Sequence, residues 1–205
     1  VEDDYDSEYR FDSRPIAPMQ TLGGAGNVIY LGTASKTLSP LLRLGYLVVP
    51  PALCETFAMA KRLADRQVPA AGQEALAALI ASGAYERHIR RVRRRNGARR
   101  AALLAALAAA LGNRVTVQGA DAGLHVVAWL DGIPQAREPE LIARARAAGL
   151  GLYPISPLYD PSAATARPDR AGLVMGYAGL SEREIERGTE RLVAVLDAML
   201  SGASR

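Results

Sequence analysis

Of the 25 lysines and arginines in the chain, only Lys36 and Lys61 are lysines, so arginine supplies nearly every generic positive charge. Lys36 therefore asks for a chemical reason. Arginine stays protonated and cannot form an imine, whereas lysine can lose its proton and attack an aldehyde as an amine nucleophile. Lys36 lies in the polar loop Gly32-Thr33-Ala34-Ser35-Lys36-Thr37, between the β-rich runs Val28–Leu31 and Gly45–Val49. Strand, loop, strand can hold a reactive amine rigidly at the edge of a buried sheet. The apolar flanks predict surroundings that favour the uncharged amine. Spacing alone also allows a solvated lysine at a strand end.

The residues upstream narrow the choice. Glu2-Asp3-Asp4-Tyr5-Asp6-Ser7-Glu8 clusters carboxylates beside tyrosine at what reads as a strand end. A carboxylate can pair with a protonated pyridine nitrogen and a phenol can hydrogen-bond a ring hydroxyl, the two contacts a pyridoxal ring needs. Arg43, seven residues past the lysine, can clamp a phosphate bidentately while Thr33 or Ser35 donates a hydroxyl.

EDDYDSEYRF followed by GTASKTLSPLLRLGYLVVP, with Lys36 lying 31 positions after Tyr5, resembles the fold type I pyridoxal-phosphate proteins. Among these it looks most like the MocR-type regulators, GntR-family transcription factors with an aminotransferase-like effector domain. The resemblance implies Lys36 as the Schiff-base lysine, Asp3 as partner of the pyridine nitrogen, Tyr5 as partner of the ring hydroxyl and Arg43 as a phosphate ligand. Thr33 and Ser35 are weaker phosphate candidates. It also implies an α/β fold: the carboxy-terminal part of a pyridoxal-phosphate-binding large domain over residues 1–97, then a small α/β domain over 98–205. Fold type I proteins are about twice this long, and the chain starts without methionine inside the Asp3 motif. An amino-terminal truncation is expected, with DNA bound only through an upstream winged helix-turn-helix outside this chain.

The functional expectation is an effector domain that senses pyridoxal phosphate, or a small-molecule amine or amino acid, through a Lys36 aldimine. A homodimer is implied for the full-length protein. The alternative is a catalytically active class I/II aminotransferase, in which Lys36 would also shuttle a proton between substrate and cofactor. A third reading is an inert fragment that folds only with a complementary chain. One departure counts against transamination: Val174 stands where such enzymes commonly carry an arginine that grips the substrate carboxylate, and valine cannot form that pair. Arg167 and Arg170, just upstream, are the substitutes within reach.

Composition fits a core-forming protein, with 49% hydrophobic residues and a net charge of +4. The single cysteine, Cys54, excludes an intramolecular disulfide and suits a reducing cytoplasm. No apolar run reaches membrane-spanning length, and no metal-ligand spacing is visible. The arginines from Arg87 to Arg100 invite a nucleic-acid reading. No aromatic residues interleave with them for stacking, so a solvated helix face is the better one.

These residues need elements to hold them. Periodicity predicts a loop over Arg10–Gly26, including Gly23-Gly24-Ala25-Gly26, and helices over Ala52–Arg66 and Gln73–Leu111. Val68–Gly72 separates the helices, and Asn96-Gly97 is a plausible kink in the second. Strands are expected at Val115–Val117, Leu124–Leu130, Gly151–Ile155 (an edge) and Leu173–Ala178, with a helix over Pro139–Ala148 and a capping box at Ser181–Glu184 opening the last helix.

Overall fold

The alternating stretches of the sequence become two separate sheets. The computed structural model describes residues 1–11, 17–22, 26–160, 162 and 168–201. The chain divides into two compact units, Val1–Arg93 and Arg94–Arg205.

In the first unit, β1 (Glu2–Asp4), β2 (Tyr30–Thr33) and β3 (Gly45–Val48) form a sheet in that order. β1 runs parallel to β2, with Asp3 beside Leu31 and Asp4 beside Gly32, and β3 returns antiparallel with Gly45 opposite Thr33. Pleat alternation places Asp4, Tyr30, Gly32 and Tyr46 on one face. The Tyr30 and Tyr46 rings meet there with centroids 6.1 Å apart. Gly32 makes this possible, since a Cβ would sit 2.3 Å from the Tyr46 ring.

Within the predicted loop over Arg10–Gly26 a short helix forms, α1 (Met19–Leu22). The Glu2 carboxylate accepts from its Met19 N–H at 3.0 Å. One turn is too short to leave a periodic signal, and this one is held by a partner 17 residues away. Residues 12–16 and most of the glycine cluster, 23–25, lie outside the described residues. α2 (Cys54–Asp65) and α3 (Ala70–Ala81) follow, neither with a buried residue. The break between them is shorter than the sequence suggests, because α3 starts directly after Pro69.

Gly83, at φ +68, separates α3 from α4 (Ala84–Leu111). α4 runs unbroken through Asn96-Gly97, where the sequence suggests a kink. Asn96 is buried, and Arg99 donates to its side-chain oxygen at 3.5 Å.

The second unit holds an antiparallel sheet in the order β4-β5-β7-β6: β4 (Val115–Gln118), β5 (His125–Pro134), β7 (Arg170–Gly176) and the edge strand β6 (Tyr153–Pro154). β5 outruns its expected end at Leu130 by passing through an irregularity between Trp129 and Pro134. α5 (Glu138–Ala147) packs against α6 (Glu182–Ser201). Leu103, Leu107 and Leu111, one face of α4 at four-residue spacing, are buried, as are Val126, Leu130, Leu173, Leu192 and Met199. Each such side chain contributes about 1.5–3 kcal/mol of burial. The capping box forms: Ser181 Oγ accepts the Glu184 N–H at 3.3 Å and the Glu184 carboxylate accepts the Ser181 N–H at 2.7 Å.

Among the described residues, no helix is long and apolar enough to cross a membrane.

Candidate functional site

The register of the first sheet brings the predicted residues to one end of it. Asp3 lies within β1 and Tyr5 just past its end; the Lys36 loop follows β2; Arg43 precedes β3, which runs the other way. Thr33 closes β2 opposite Gly45.

The loop itself is anchored through its backbone and its small residues. The Ala34 N–H donates to the Leu44 carbonyl at 3.0 Å, and the Leu38 N–H donates to the Ala34 carbonyl at 2.9 Å. Thr33 Oγ1 donates to the Leu44 carbonyl at 3.1 Å, accepts the Ser35 N–H at 3.1 Å and lies 3.0 Å from Ser35 Oγ. The two hydroxyls named as phosphate candidates thus hold the turn together. Ala34 and Thr37 are buried while Lys36, between them, is exposed. That corrects the expectation of apolar surroundings for the amine: the neighbouring strands are hydrophobic, but the turn carries Lys36 outward.

Three residues that sequence reasoning did not single out reach this loop from a distance. The fully buried Tyr9 donates its hydroxyl to the Lys36 carbonyl at 2.8 Å. Tyr85 Oη lies 3.0 Å from Thr37 Oγ1, and His88 Nε2 lies 2.9 Å from the Thr37 carbonyl. Tyr85 and His88 stand three apart on α4 and so share a face. Hydrogen bonds of this kind contribute about 0.5–1.5 kcal/mol net each. Burial pushes the Tyr85 phenol up, partly offset by its Thr37 bond, and so keeps its proton in place.

The acidic stretch divides by function. Tyr30 Oη donates to Asp4 Oδ2 at 2.5 Å, and the Ser7 N–H donates to Asp4 Oδ1 at 3.1 Å. Burial acts upward on Asp4, but these bonds outweigh it and hold the carboxyl below its usual range. Burial and the Asp4 bond together push the Tyr30 phenol well above its usual range. Asp4 and Tyr30 therefore tie β1 to β2, leaving Asp3 on the opposite face. The charge of Asp6, then burial, then Asp3, raise the Tyr5 phenol, so it remains a hydrogen-bond donor. Asp3 and Tyr5 line a hollow of about 440 Å³ together with Asp6, Ser7, Arg10 and Tyr30. Lys36 and Arg43 are not among the residues lining it.

Arg43 is exposed and adopts φ +50, after a 3₁₀ turn over Pro40–Leu42 whose Leu41 N–H is capped by Ser39 Oγ at 3.2 Å. A left-handed arginine is a local strain of about 1–2 kcal/mol, of the sort that gathers where a side chain must be aimed.

The arginines of α4 are largely engaged within the protein. Arg90 pairs with Glu86 at 3.0 Å, Arg87 reaches the Ser82 carbonyl at 3.3 Å, and Arg93, Arg99 and Arg100 hydrogen-bond the backbone carbonyls of Arg10, Ala178 and Ala120. Arg87, Arg90, Arg91, Arg93, Arg94 and Arg95 are exposed, so this is a solvated helix face laced with such contacts. In the second unit, Val174 is half-buried in β7, opposite Val127 and Tyr153. Arg170 is paired with Asp131 and lies 5.9 Å from the Trp129 ring centroid, so it is not a free substitute for the carboxylate-gripping arginine expected near Val174. Arg167 lies outside the described residues.

The family profile of aminotransferase class I and II matches residues 6–192. The chain belongs to the class I and II aminotransferase family. It is 39% identical over 201 residues to the uncharacterized HTH-type transcriptional regulator YhdI of Bacillus subtilis, covering 98% of this chain and 41% of that protein. It is 36% identical over 205 residues to the probable rhizopine catabolism regulatory protein MocR of Rhizobium meliloti, covering 100% and 40%. The chain thus spans about two fifths of the length of these regulators. LysN, the alpha-aminoadipate aminotransferase of Thermus thermophilus, solved with N-(5'-phosphopyridoxyl)-L-leucine, matches with a TM-score of 0.82 and 28% identity, over 98% of this chain and 50% of that one. The fold is that of the fold type I pyridoxal-phosphate-dependent aminotransferases, α/β as expected.

Family membership implies pyridoxal 5'-phosphate, and the donor chemistry at the sheet end fits it. A carboxylate (Asp3), a phenol that keeps its proton (Tyr5), a primary amine (Lys36) and a guanidinium (Arg43), the kinds of group such a cofactor calls on, all stand at the same end of the sheet.

Proposed function

We infer that this chain is the cofactor-binding, aminotransferase-like part of a MocR/GntR-type transcriptional regulator, in which pyridoxal phosphate or a small-molecule amine or amino acid is sensed through Lys36. Similarity along the whole chain to an HTH-type transcriptional regulator and to a probable regulatory protein carries this reading. The bound cofactor would supply an electrophilic aldehyde and an electron-withdrawing ring. Lys36 would offer its amine to that aldehyde, Asp3 would accept a hydrogen bond from the protonated ring nitrogen, Tyr5 would hydrogen-bond the ring hydroxyl, and Arg43 would neutralise the phosphate. Ser35 and Thr33 contribute hydroxyls to the phosphate only if they leave the turn contacts they make with each other. Lys36 would be the side chain set free when a small-molecule amine takes its place. The protein responds to whatever difference in affinity its conformations then show for the ligand.

DNA would be bound by a winged helix-turn-helix elsewhere in the full-length protein, which would act as a homodimer in the cytoplasm. The second reading, a working aminotransferase, draws on the likeness to LysN. Val174, and the commitment of Arg170 to Asp131, weigh against it.

Full-length wild-type and Lys36→Ala proteins, with and without pyridoxal phosphate, would be compared for retention of DNA from upstream of their own reading frame and for amino-group transfer from amino acids. The regulator reading expects DNA retention that responds to pyridoxal phosphate only in the wild type, with little transfer. Multiple turnovers of transfer, with DNA retention indifferent to cofactor, would overturn it in favour of the enzyme.

A further inference from the structure

We propose that Tyr9, Tyr85 and His88 are positioning residues that fix the backbone on which Lys36 is carried, so that its exposed amine leaves the turn from a set origin. The inference rests on Lys36 being the cofactor lysine, and the geometry is particular to this loop.

Lys36 has four rotatable side-chain bonds and is exposed, so packing does little to aim it. What can be fixed is its base. The carbonyl of Lys36 itself accepts from Tyr9, and the next residue, Thr37, is held by both its hydroxyl and its carbonyl. Both sides of the Thr37 carbonyl contact are determined by chemistry. A carbonyl can only accept, so His88 Nε2 carries a proton and donates. Arg91 Nη2 lies 3.3 Å from His88 Nδ1 and can only donate, so Nδ1 accepts. Arg91 thereby selects the one tautomer that can hold Thr37, much as a third group orients the base in a hydrolytic triad.

The hydroxyl is held as well: Thr37 Oγ1 lies 3.0 Å from Tyr85 Oη and 3.4 Å from the Ala34 carbonyl, bridging the two. The chain Tyr85 to Thr37 to Ala34 locks the two buried residues on either side of Lys36. Glu8 also stands near this place, its carboxyl raised by burial, opposed by a backbone bond and assisted by Asp4 and Asp6.

The test follows capture of pyridoxal phosphate by the full-length apo protein through the visible absorbance of the bound cofactor, alongside thermal unfolding. His88→Ala removes the donor to Thr37, whereas His88→Gln keeps an amide N–H at nearly the Nε2 position. Misplacement of a reacting group by about an ångström can cost up to about a hundredfold. We expect His88→Ala to capture about tenfold more slowly, within that limit, and His88→Gln to recover most of the rate. Tyr85→Phe, which removes one oxygen and serves if His88→Ala does not fold, is expected to slow capture by a smaller factor. Wild-type rates in both His88→Ala and Tyr85→Phe, or a His88→Gln as slow as His88→Ala, would overturn the proposal. Lys36→Ala separates the two levels. If it captures cofactor at the wild-type rate, the lysine assignment itself fails; if capture depends on Lys36 but not on His88 or Tyr85, only the positioning role does.

Discussion

The two units spend their apolar residues differently. In the second, leucines from α4 and α6 close over the sheet, and Leu107, Leu173 and Leu192 are fully buried. In the first, all four residues of β3 are exposed, α2 and α3 bury nothing, and Leu63 is 78% exposed. The buried apolar side chains there include Val92 and also Tyr9 and Ala34, which hold or belong to the lysine loop. The second unit is thus stabilised by its own packing. The first is ordered locally by hydrogen bonds around a site, with much apolar surface left to be covered.

The contrast can be broken most easily where the difference should be largest. Leu107→Ala or Leu192→Ala should destabilise the second unit by about 2–5 kcal/mol in urea unfolding, while Leu63→Ala should stay within about 0.5 kcal/mol. Equal losses would abolish the distinction. Gly172→Ala comes next, because its Cβ would meet Trp129 and Ile155 at 2.6 Å. Such overpacking should cost about 1–3 kcal/mol unless the indole can shift.

A matched pair sharpens the comparison further. Tyr177 donates to the Gly123 carbonyl at 2.6 Å, and Tyr9 makes the equivalent bond to Lys36, each from a fully buried ring. Removing either hydroxyl should cost about 1–3 kcal/mol, measured by thermal unfolding. Only Tyr9→Phe should also change cofactor capture.

The smallest expected effect is a dependence on pH. The folded Asp4 carboxyl lies below its ordinary value of 3.8, so the stability it contributes is present above that pH and is lost as pH falls through the folded value. The stability gap between wild type and Asp4→Asn should therefore be open at neutral pH and narrow below about pH 3.8. A gap that widened in acid would mean that the Tyr30 and Ser7 bonds do not favour the ionised form.

The sequence made the elements of both units readable because helix and strand periodicity are local properties. The capping box at Ser181 and the strands on either side of Lys36 are of this kind. The four residues proposed to meet the cofactor were singled out through their types, their spacing and the family they resemble, and the register of the first sheet sets them at one end of it. What holds the lysine loop was not. Tyr9, Tyr85 and His88 contact it across 27, 48 and 51 residues, and no local pattern distinguishes a tyrosine or histidine that reaches a distant carbonyl from one that faces water. The exposure of Lys36 was hidden for a related reason: apolar flanks report on the strands, while the direction of the intervening turn depends on which of its small residues are buried.

Borohydride reduction of the full-length protein with pyridoxal phosphate, followed by peptide mass mapping, asks whether Lys36 is the covalent tether. A phosphopyridoxyl label on Lys36 is expected. A label on Lys61, or none on either lysine, would contradict it.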